Sequence, residues 1–246
     1  MADFADTLLA GRRVLVVTPH ADDETFGCGG TMARAADLGA QVYVIVGSIA
    51  DLHQYANGFD RVSGDTREDE LRAAFAVLGV QDYCVLYRDE PDTPAAATRH
   101  LRLDAVPRVE LIGLLERECP LAIDKVKPDI LLFPAVSYNQ DHEALNRAVW
   151  AACRPHLPSD KPFVRAVWAY DQPQLGWNHA AFRPNLYVDI SRHLDRKLAA
   201  FRCHASQVRP DPHHASVENM ERLARLRGSE VSVAAAEAFE CHRLLL

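Results

Sequence analysis

The stretch that decides the fold is Val14–Glu24, which reads VLVVTPHADDE. Its first four residues are apolar and mostly β-branched, a pattern typical of a strand buried on both faces of a parallel sheet. One histidine and three acids follow at once, at His20 and at Asp22–Glu24. Rigid sheets hold loops at the ends of their strands, and α/β proteins place their chemistry in such loops. We therefore expect a functional loop directly after the first strand.

Strand and helix signals alternate beyond this loop. A helix is predicted from about residue 30 to residue 38, where Gly39 stops it, and Gln41–Val46 reads as the next strand. The order strand, helix, strand is that of a βαβ unit, which places its strands in a parallel sheet. With no internal repeat, low-complexity tract or linker, the sequence predicts a single α/β domain that covers residues 1–246.

Three local predictions are less regular. Residues 49–64 are polar and contain glycine, so they predict a long functional loop. Asp65 follows and is the expected N-cap of a helix, with an acid three residues later as in a capping box. Residues 231–242 are ambiguous between helix and strand.

A second polar loop follows another buried strand. Residues 130–133 form the apolar run ILLF, and Ser137–His142 reads SYNQDH. Because parallel strands open their carboxyl ends on the same side of the sheet, His142 would meet His20 and Asp23 there. Two imidazoles and a carboxylate, with a fourth position for water, are the ligands of catalytic zinc sites. From its spacing alone, His142 fits equally well as a helix-start histidine beside nearby acids.

Asp22 adjoins the predicted ligand Asp23 but points differently, which suits a general base. A bound zinc ion lowers the pKa of its water to about 7, so a carboxylate can assist at neutral pH. Fe²⁺ accepts the same nitrogen and oxygen ligands, so these residues leave the choice between Zn²⁺ and Fe²⁺ open.

Composition limits the class of function. The net charge of −7 argues against a general nucleic-acid binder, which needs a basic face, and is compatible with a small-molecule substrate. No run approaches the roughly 20 apolar residues of a membrane span. Six cysteines are scattered without a CxxC pair, and the first eleven residues do not resemble a signal peptide. We therefore expect reduced thiols, no structural zinc on cysteine and a cytoplasmic protein.

Two short motifs point to a known family. His20–Glu24 reads HADDE and Asn139–His142 reads NQDH, which resemble the His-Pro-Asp-Asp-Glu and His-Pro-Asp-His motifs of the LmbE-like / PIG-L de-N-acetylases. Weaker matches continue in order through residues 67–79, 188–207 and 236–239, so the resemblance spans nearly the whole chain. It implies a Rossmann-like, mostly parallel sheet with helices on both faces. It also implies divalent-metal hydrolysis of an N-acyl group, usually N-acetyl, on a sugar-like substrate.

The resemblance also implies roles for individual residues. By position, His20, Asp23 and His142 would bind Zn²⁺, or Fe²⁺ or another divalent ion in its place. Asp22 would be the general base. Arg67 resembles the family's substrate-contacting arginine, although it also fits a surface arginine in the first turn of a helix.

Asn139 departs from the family, which has histidine at this place. Asparagine can donate a hydrogen bond to an oxyanion but cannot deliver a proton. Two residues therefore remain as candidates for the acid that protonates the leaving amine. They are Asp22 and His204, and His204 matches a histidine of the family. His204 also fits a helix-end histidine that interacts with the helix dipole. Asp141 is expected to orient a ligand histidine, to cap a helix, or to do both.

The leading hypothesis is zinc-dependent hydrolysis of the N-acetyl amide of an amino sugar or glycoconjugate, which releases acetate and a free amine. The alternative is an amidase that acts on a larger N-acyl chain or a thiol-sugar conjugate, with the aromatic, proline-rich residues 171–184 as its pocket. A further alternative is a sugar- or nucleotide-binding module without turnover, because Asn139 cannot donate a proton. Members of the family often associate, so a homo-oligomer is compatible with the resemblance. The other histidines, His100, His213 and His214 among them, receive no role.

Overall fold

The first strand, β1 (Arg13–Thr18), lies inside the sheet of the computed structural model. Val14 and Val16 contact one layer of helices, whereas Leu15 and Val17 contact the other, and all four are fully buried. Side chains alternate between the faces of a strand, so a strand that is apolar on both faces needs cover on both. The structure describes residues 4–54, 60–94, 96–173, 175–178 and 181–246.

Seven strands form one sheet. In spatial order they are β5 (Asp82–Arg88), β2 (Gln41–Ile49), β1, β6 (Ile130–Pro134), β7 (Ala166–Tyr170), β9 (Ala236–Leu244) and β8 (Leu186–Asp189). The strands from β5 to β7 are parallel, and β9 is antiparallel to both of its neighbours. The predicted mostly parallel sheet is therefore confirmed, and residues 236–242 of the ambiguous segment belong to the strand β9.

Helices cover both faces of the sheet, as predicted. One layer holds α1 (Phe4–Leu9), α2 (Asp23–Asp37), α3 (Gly64–Leu78), α7 (Leu194–Cys203) and α8 (Val217–Ser229). The other holds α4 (Arg108–Gly113), α5 (Ile123–Val126) and α6 (Gln140–Ala152). Within the described ranges, no helix is long and apolar enough to cross a membrane.

The segment predicted as a long loop contains a hairpin. The strands β3 (Leu52–Gln54) and β4 (Asp60–Val62) pair antiparallel on either side of residues 55–59, which lie outside the described ranges. The expected N-cap at Asp65 is wrong. Ser63 caps α3, because its Oγ accepts a hydrogen bond from the backbone N–H of Thr66 at 3.1 Å. Asp65 is the second residue of the helix, where its charge still complements the helix dipole.

The helix α2 begins at Asp23 rather than near residue 30 and is interrupted at Cys28, whose φ is −144°. Glu237 caps the second half of this helix, since its carboxylate accepts hydrogen bonds from the N–H groups of Gly30 and Thr31 at 2.8 and 2.7 Å. The predicted helix corresponds to this second half. The first half belongs to the polar loop and carries its acids.

The polar loops meet at the point where the order of the sheet reverses. The chain leaves β1 toward β2 on one side, whereas β6 pairs with β1 on the other side. Loops after such neighbouring strands diverge and leave a crevice at the carboxyl end of the sheet. The residues after Thr18 and after Pro134 are therefore brought together in this crevice.

Candidate active site

Three side chains from the two loops converge in the crevice. His20 Nδ1 and His142 Nε2 each lie 3.2 Å from Asp23 Oδ2, and one ligand atom from each of the three residues lies within 4.8 Å of the others. All three residues are buried. Two imidazole nitrogens and a carboxylate oxygen suit Zn²⁺ or Fe²⁺, so this cluster fits a divalent metal ion.

Hydrogen bonds hold the three side chains in place. His20 Nε2 lies 2.9 Å from Asp141 Oδ2, and the other oxygen of Asp141 accepts a bond from the N–H of Leu103 at 2.8 Å. A proton on Nε2 leaves the Nδ1 lone pair of His20 directed at the cluster. Gln172 Nε2 donates to Asp23 Oδ1 at 2.9 Å, which leaves the other carboxylate oxygen for a metal.

The pKa values of two predicted ligands, His20 and Asp23, are shifted by their contacts with each other and with neighbouring side chains. Burial disfavours the charged form of His20, but hydrogen bonds to Asp141 and Asp23 raise its pKa from 6.5 to about 9. Burial likewise raises the pKa of Asp23, but His142 and His20 hold that pKa well below its usual range. A metal ion that binds here must therefore displace a proton from His20.

Asp22 precedes α2 with a strained backbone. Its φ is 127°, in a region that favours glycine. Burial and the charge of Asp23 raise the pKa of Asp22 to about 7, against the opposing effects of His204 and Arg67. Asp22 lines a cavity of about 270 Å³ together with the three cluster residues. A carboxyl group with this pKa can accept and return a proton at neutral pH.

Glu24 and His204 lie behind this loop. Glu24 is fully buried and accepts hydrogen bonds from Thr25 Oγ1 at 2.8 Å and from the N–H of Asp22 at 3.2 Å. His204 Nε2 lies 3.6 Å from Glu24 Oε1, and burial disfavours its charged form, but Glu24 raises its pKa. His204 is 1% exposed and is absent from the cavity lining. His204 therefore faces Glu24 rather than the cavity that Asp22 lines.

Asn139 lines the same cavity and also begins α6. Its Oδ1 accepts a hydrogen bond from the N–H of Asp141 at 2.9 Å, as an N-cap residue does. The side-chain oxygen of Asn139 thus bonds to the backbone of Asp141, and its Nδ2 group is left to donate a hydrogen bond. This orientation suits the oxyanion contact that was predicted for Asn139.

Arg67 lies in the cavity wall and is 4% exposed, which disfavours the interpretation as a surface arginine. Its Nη1 donates to the carbonyl of Ala50 at 3.3 Å and to His100 Nε2 at 2.9 Å. Because Nε2 accepts, the proton of His100 sits on Nδ1, which lies 3.0 Å from Ser48 Oγ. Burial, and then the charges of His20 and Arg67, lower the pKa of His100 to about 2, so this ring is neutral.

Two residues of the site were missed by the sequence analysis. His100 received no role, yet its ring packs edge-on against that of His20 with centroids 5.2 Å apart. Gln172 was not singled out, yet it orients Asp23. Both lie in irregular segments without helical or strand periodicity, so no local pattern signals their place in the fold.

The fold and the site together define the class of protein. A mostly parallel sheet carries two histidines and a carboxylate at its switch point. A second carboxylate lies beside them, on a residue whose backbone is strained. This combination is that of an α/β enzyme with a site for a divalent metal ion at the carboxyl end of its sheet.

Residues 15–153 match the model of the family described as PIG-L, GlcNAc-PI de-N-acetylase, and the chain belongs to this family. It is 26% identical to a probable N-acetyl-alpha-D-glucosaminyl L-malate deacetylase of Bacillus cereus, over 85% of this chain and 91% of the relative. It is 28% identical to a 1D-myo-inositol 2-acetamido-2-deoxy-alpha-D-glucopyranoside deacetylase of Actinosynnema mirum, over 82% of this chain and 83% of the relative. The predicted family and the predicted class of amide-hydrolysing deacetylase are confirmed.

Solved structures share the fold. A conserved protein from Thermus thermophilus has a TM-score of 0.67 and 25% identity, with 96% of each chain covered. The 4-carboxy-2-hydroxymuconate hydratase of Pseudomonas putida has the same TM-score at 22% identity, with 96% of this chain and 98% of the neighbour covered. The fold therefore also carries a hydratase, so the reaction must be argued from the site rather than from the fold.

Proposed function

We propose that this protein hydrolyses the N-acetyl amide of an amino-sugar conjugate at the cluster of His20, Asp23 and His142. The observation that carries the proposal is the geometry of Asp22, whose backbone is strained and whose carboxyl group, with a pKa of about 7, lies beside three convergent side chains. The relatives are named for the removal of acetyl groups from glucosaminyl malate and from glucosaminyl inositol. An N-acetylated amino sugar with a small attached group is therefore the class of substrate.

His20, Asp23 and His142 would hold the metal, which we propose is zinc, and Fe²⁺ would accept the same ligands. A divalent ion held there would lower the pKa of water and would polarise the amide carbonyl. Asp141 and Gln172 keep the ligand side chains in their orientation through hydrogen bonds of 2.9 Å.

The chain's own residues move the protons. Asp22 takes a proton from the attacking water as the water oxygen bonds to the carbonyl carbon. Asn139 Nδ2 donates a hydrogen bond to the oxygen that becomes negative. Asp22 then returns the proton to the amide nitrogen as the carbon–nitrogen bond breaks, and acetate and the free amine leave. This assignment makes His204 a positioning residue for Asp22 rather than the acid.

Arg67 is proposed to contact the sugar. Its Nη1 is held by Ala50 and His100, so the guanidinium group is fixed before substrate binds. A fixed donor contributes more to binding than a mobile one, because less side-chain freedom is lost. Arg67 would donate to hydroxyl oxygens of the amino sugar in the cavity that it lines.

A groove next to the cavity favours a second candidate, hydrolysis of a larger N-acyl amide, including that of a thiol-sugar conjugate. The groove is lined by Tyr138, Pro173, Gly176, Trp177 and His214, and Trp177 is 82% exposed. Such an exposed aromatic surface can hold an apolar chain. Part of the predicted pocket, at residues 174, 179 and 180, lies outside the described ranges.

The test is product analysis with zinc-loaded and iron-loaded protein. Mass spectrometry of N-acetylglucosamine conjugates should show the loss of one acetyl group and an equal amount of acetate, and D22N protein should form both about 10²- to 10⁴-fold more slowly. A series of acyl lengths on one sugar separates the two candidates. Preference for acetyl supports deacetylation, whereas preference for longer chains supports the second candidate. The absence of any amine product from metal-loaded protein would overturn both.

The compartment and the partners stay predictions. All six cysteines are free thiols, which supports the proposal of a cytoplasmic protein. The homo-oligomer and the lack of a nucleic-acid partner rest on the sequence alone.

A further inference from the structure

One wall of the active-site cavity carries a guanidinium group together with neutral polar side chains. The segment between α7 and α8 contributes Gln207, Arg209, His213 and His214 to the lining. The two acids of the described lining, Asp22 and Asp23, both belong to the loop after β1. In a chain with a net charge of −7, the guanidinium group of Arg209 in this wall points to a ligand of opposite charge.

Arg209 is fixed at one nitrogen of its guanidinium group. Its Nη1 donates to the carbonyls of Ser206 and Val208 at 2.9 and 3.0 Å. Among the residues that the structure describes, its Nε and Nη2 have no hydrogen-bond partner and its charge has no carboxylate partner. Arg209 thus holds the backbone through Nη1, while the rest of its guanidinium group remains available to a ligand in the cavity.

The nearby acids are occupied elsewhere. Asp211 pairs with Arg222, with Nη2 to Oδ2 at 3.0 Å. Glu70 accepts hydrogen bonds from the N–H and the Oγ of Ser206 at 2.7 and 2.6 Å. Among the described residues, neither carboxylate forms an ion pair with Arg209, so its charge is available to a ligand in the cavity that it lines.

The two histidines supply further donors. His213 Nδ1 accepts a hydrogen bond from the N–H of Ala215 at 3.0 Å, which puts the ring proton on Nε2. The ring nitrogens of His214 have no hydrogen-bond partner in the described part of the chain, and its ring lies 4.0 Å from that of His213, centroid to centroid. Burial and the neighbouring positive charges lower the pKa of both residues, so both rings are neutral N–H donors.

We propose that Arg209, His213 and His214 form a subsite for an acidic oxygen group, a carboxylate or a phosphate, on the portion of the substrate attached to the amino sugar. The inference rests on the proposed deacetylation and deepens it. A guanidinium group matches the planar, paired oxygens of such anions, and charge-assisted hydrogen bonds are the strong ones. A neutral attached group would leave the charge of Arg209 without a partner.

Three N-acetylglucosaminides with different attached groups test the subsite. The carboxymethyl and carbamoylmethyl glycosides have nearly the same shape and differ in charge, and a phosphoethyl glycoside separates phosphate from carboxylate. We expect kcat/KM to be about 10- to 100-fold higher for an acidic glycoside than for the carbamoylmethyl one, mainly through KM. In R209Q this preference should disappear, whereas R209K should keep part of it. Arg202, exposed on α7, provides the matched control R202Q, which should keep the full preference.

The outcomes separate the two proposals. Equal kcat/KM for all three glycosides in the unmutated protein, or an unchanged preference in R209Q, overturns the subsite and leaves deacetylation standing. If no glycoside is hydrolysed, deacetylation fails, and calorimetric binding of the carboxymethyl and carbamoylmethyl glycosides then decides the subsite. If R209Q does not fold, H214N takes its place and should reduce the preference. Tighter binding of the acidic glycoside, lost in the variant, supports the subsite in either case.

Discussion

Asp22 combines two unfavourable features at one residue. Its φ of 127° is strained for a residue with a Cβ atom, and its carboxyl group sits beside the charge of Asp23. Such features persist only where the surrounding structure enforces them, and they concentrate at functional sites. Here the hydrogen bond from the N–H of Asp22 to Glu24 and the burial of Glu24 hold the loop in this conformation.

The substitution D22N tests the base. Asparagine tolerates positive φ and keeps the shape of the side chain, so the fold should survive. Loss of a general base lowers kcat by about 10²- to 10⁴-fold. The measurement is the rate of acetate release together with metal analysis, and the metal content should stay unchanged. In the control D23N the metal content should fall. Normal activity of D22N would remove Asp22 from the mechanism.

Metal affinity should depend on pH through His20. Its pKa in the metal-free protein is about 9, and a metal ligand must be deprotonated. Below that pH each metal ion displaces a proton, so affinity should rise about tenfold per pH unit between pH 6 and 8 and level off above 9. The metal affinity at each pH is measured by competition with a chromogenic chelator.

The control for this pH dependence is D141N, which removes one of the two carboxylates that raise the pKa of His20. The variant should show a flatter dependence of metal affinity on pH. If the metal affinity of the unmutated protein does not change between pH 6 and 8, His20 is not protonated in the metal-free protein and this account is contradicted.

At the scale of elements, α2 is shaped by its contacts rather than by its own sequence. Glu237 caps its second half, and Lys197 Nζ donates to the carbonyl of Phe26 at 2.7 Å and pairs with Glu237. Both partners of this pair are buried. The break at Cys28 lets the first half of the helix turn into the crevice with Asp23.

Gly27 allows the close approach that this packing needs. A Cβ atom at this position would lie 2.1 Å from the ring of Tyr170, which is fully buried and donates a hydrogen bond to the carbonyl of Val17. We expect G27A to lower the free energy of unfolding by about 1–3 kcal/mol, as overpacking does, measured by chemical denaturation. Gly29 in the same helix is the control, because a Cβ atom there meets its nearest atoms at 3.5 Å. Equal stability of G27A and G29A would contradict this account.

At the scale of the molecule, the cluster of His20, Asp23 and His142 joins two distant parts of the chain. His20 follows β1 and His142 lies in α6, so an ion bound to both links the loops on either side of the switch point. Ligands that bind only the folded state stabilise it, by about 2.7 kcal/mol at a hundredfold excess over Kd. A chelator should therefore lower the Tm by several degrees.

The control for chelation is H142A. This variant lacks one ligand, so its Tm should respond little to the chelator, although it starts lower than that of the unmutated protein. A Tm of the unmutated protein that is independent of the chelator would mean that the cluster does not hold an ion in solution.

The sequence by itself determined the fold class, the family and the residues that we propose as ligands and base. These features are local: an apolar run at β1, and short polar motifs at His20–Glu24 and Asn139–His142. Strand order then brings the motifs together, because parallel strands share one edge for their loops.

Only the tertiary structure decided which irregular segments complete the site. His100, Gln172 and Arg209 come from loops without periodicity, and Glu237 caps a helix more than 200 residues away. The N-cap of α3, Ser63, was also missed, because two nearby polar residues, Ser63 and Asp65, could each cap the helix. Hydrogen bonds between distant segments leave no local pattern, since their partners are chosen by the packing of the whole chain.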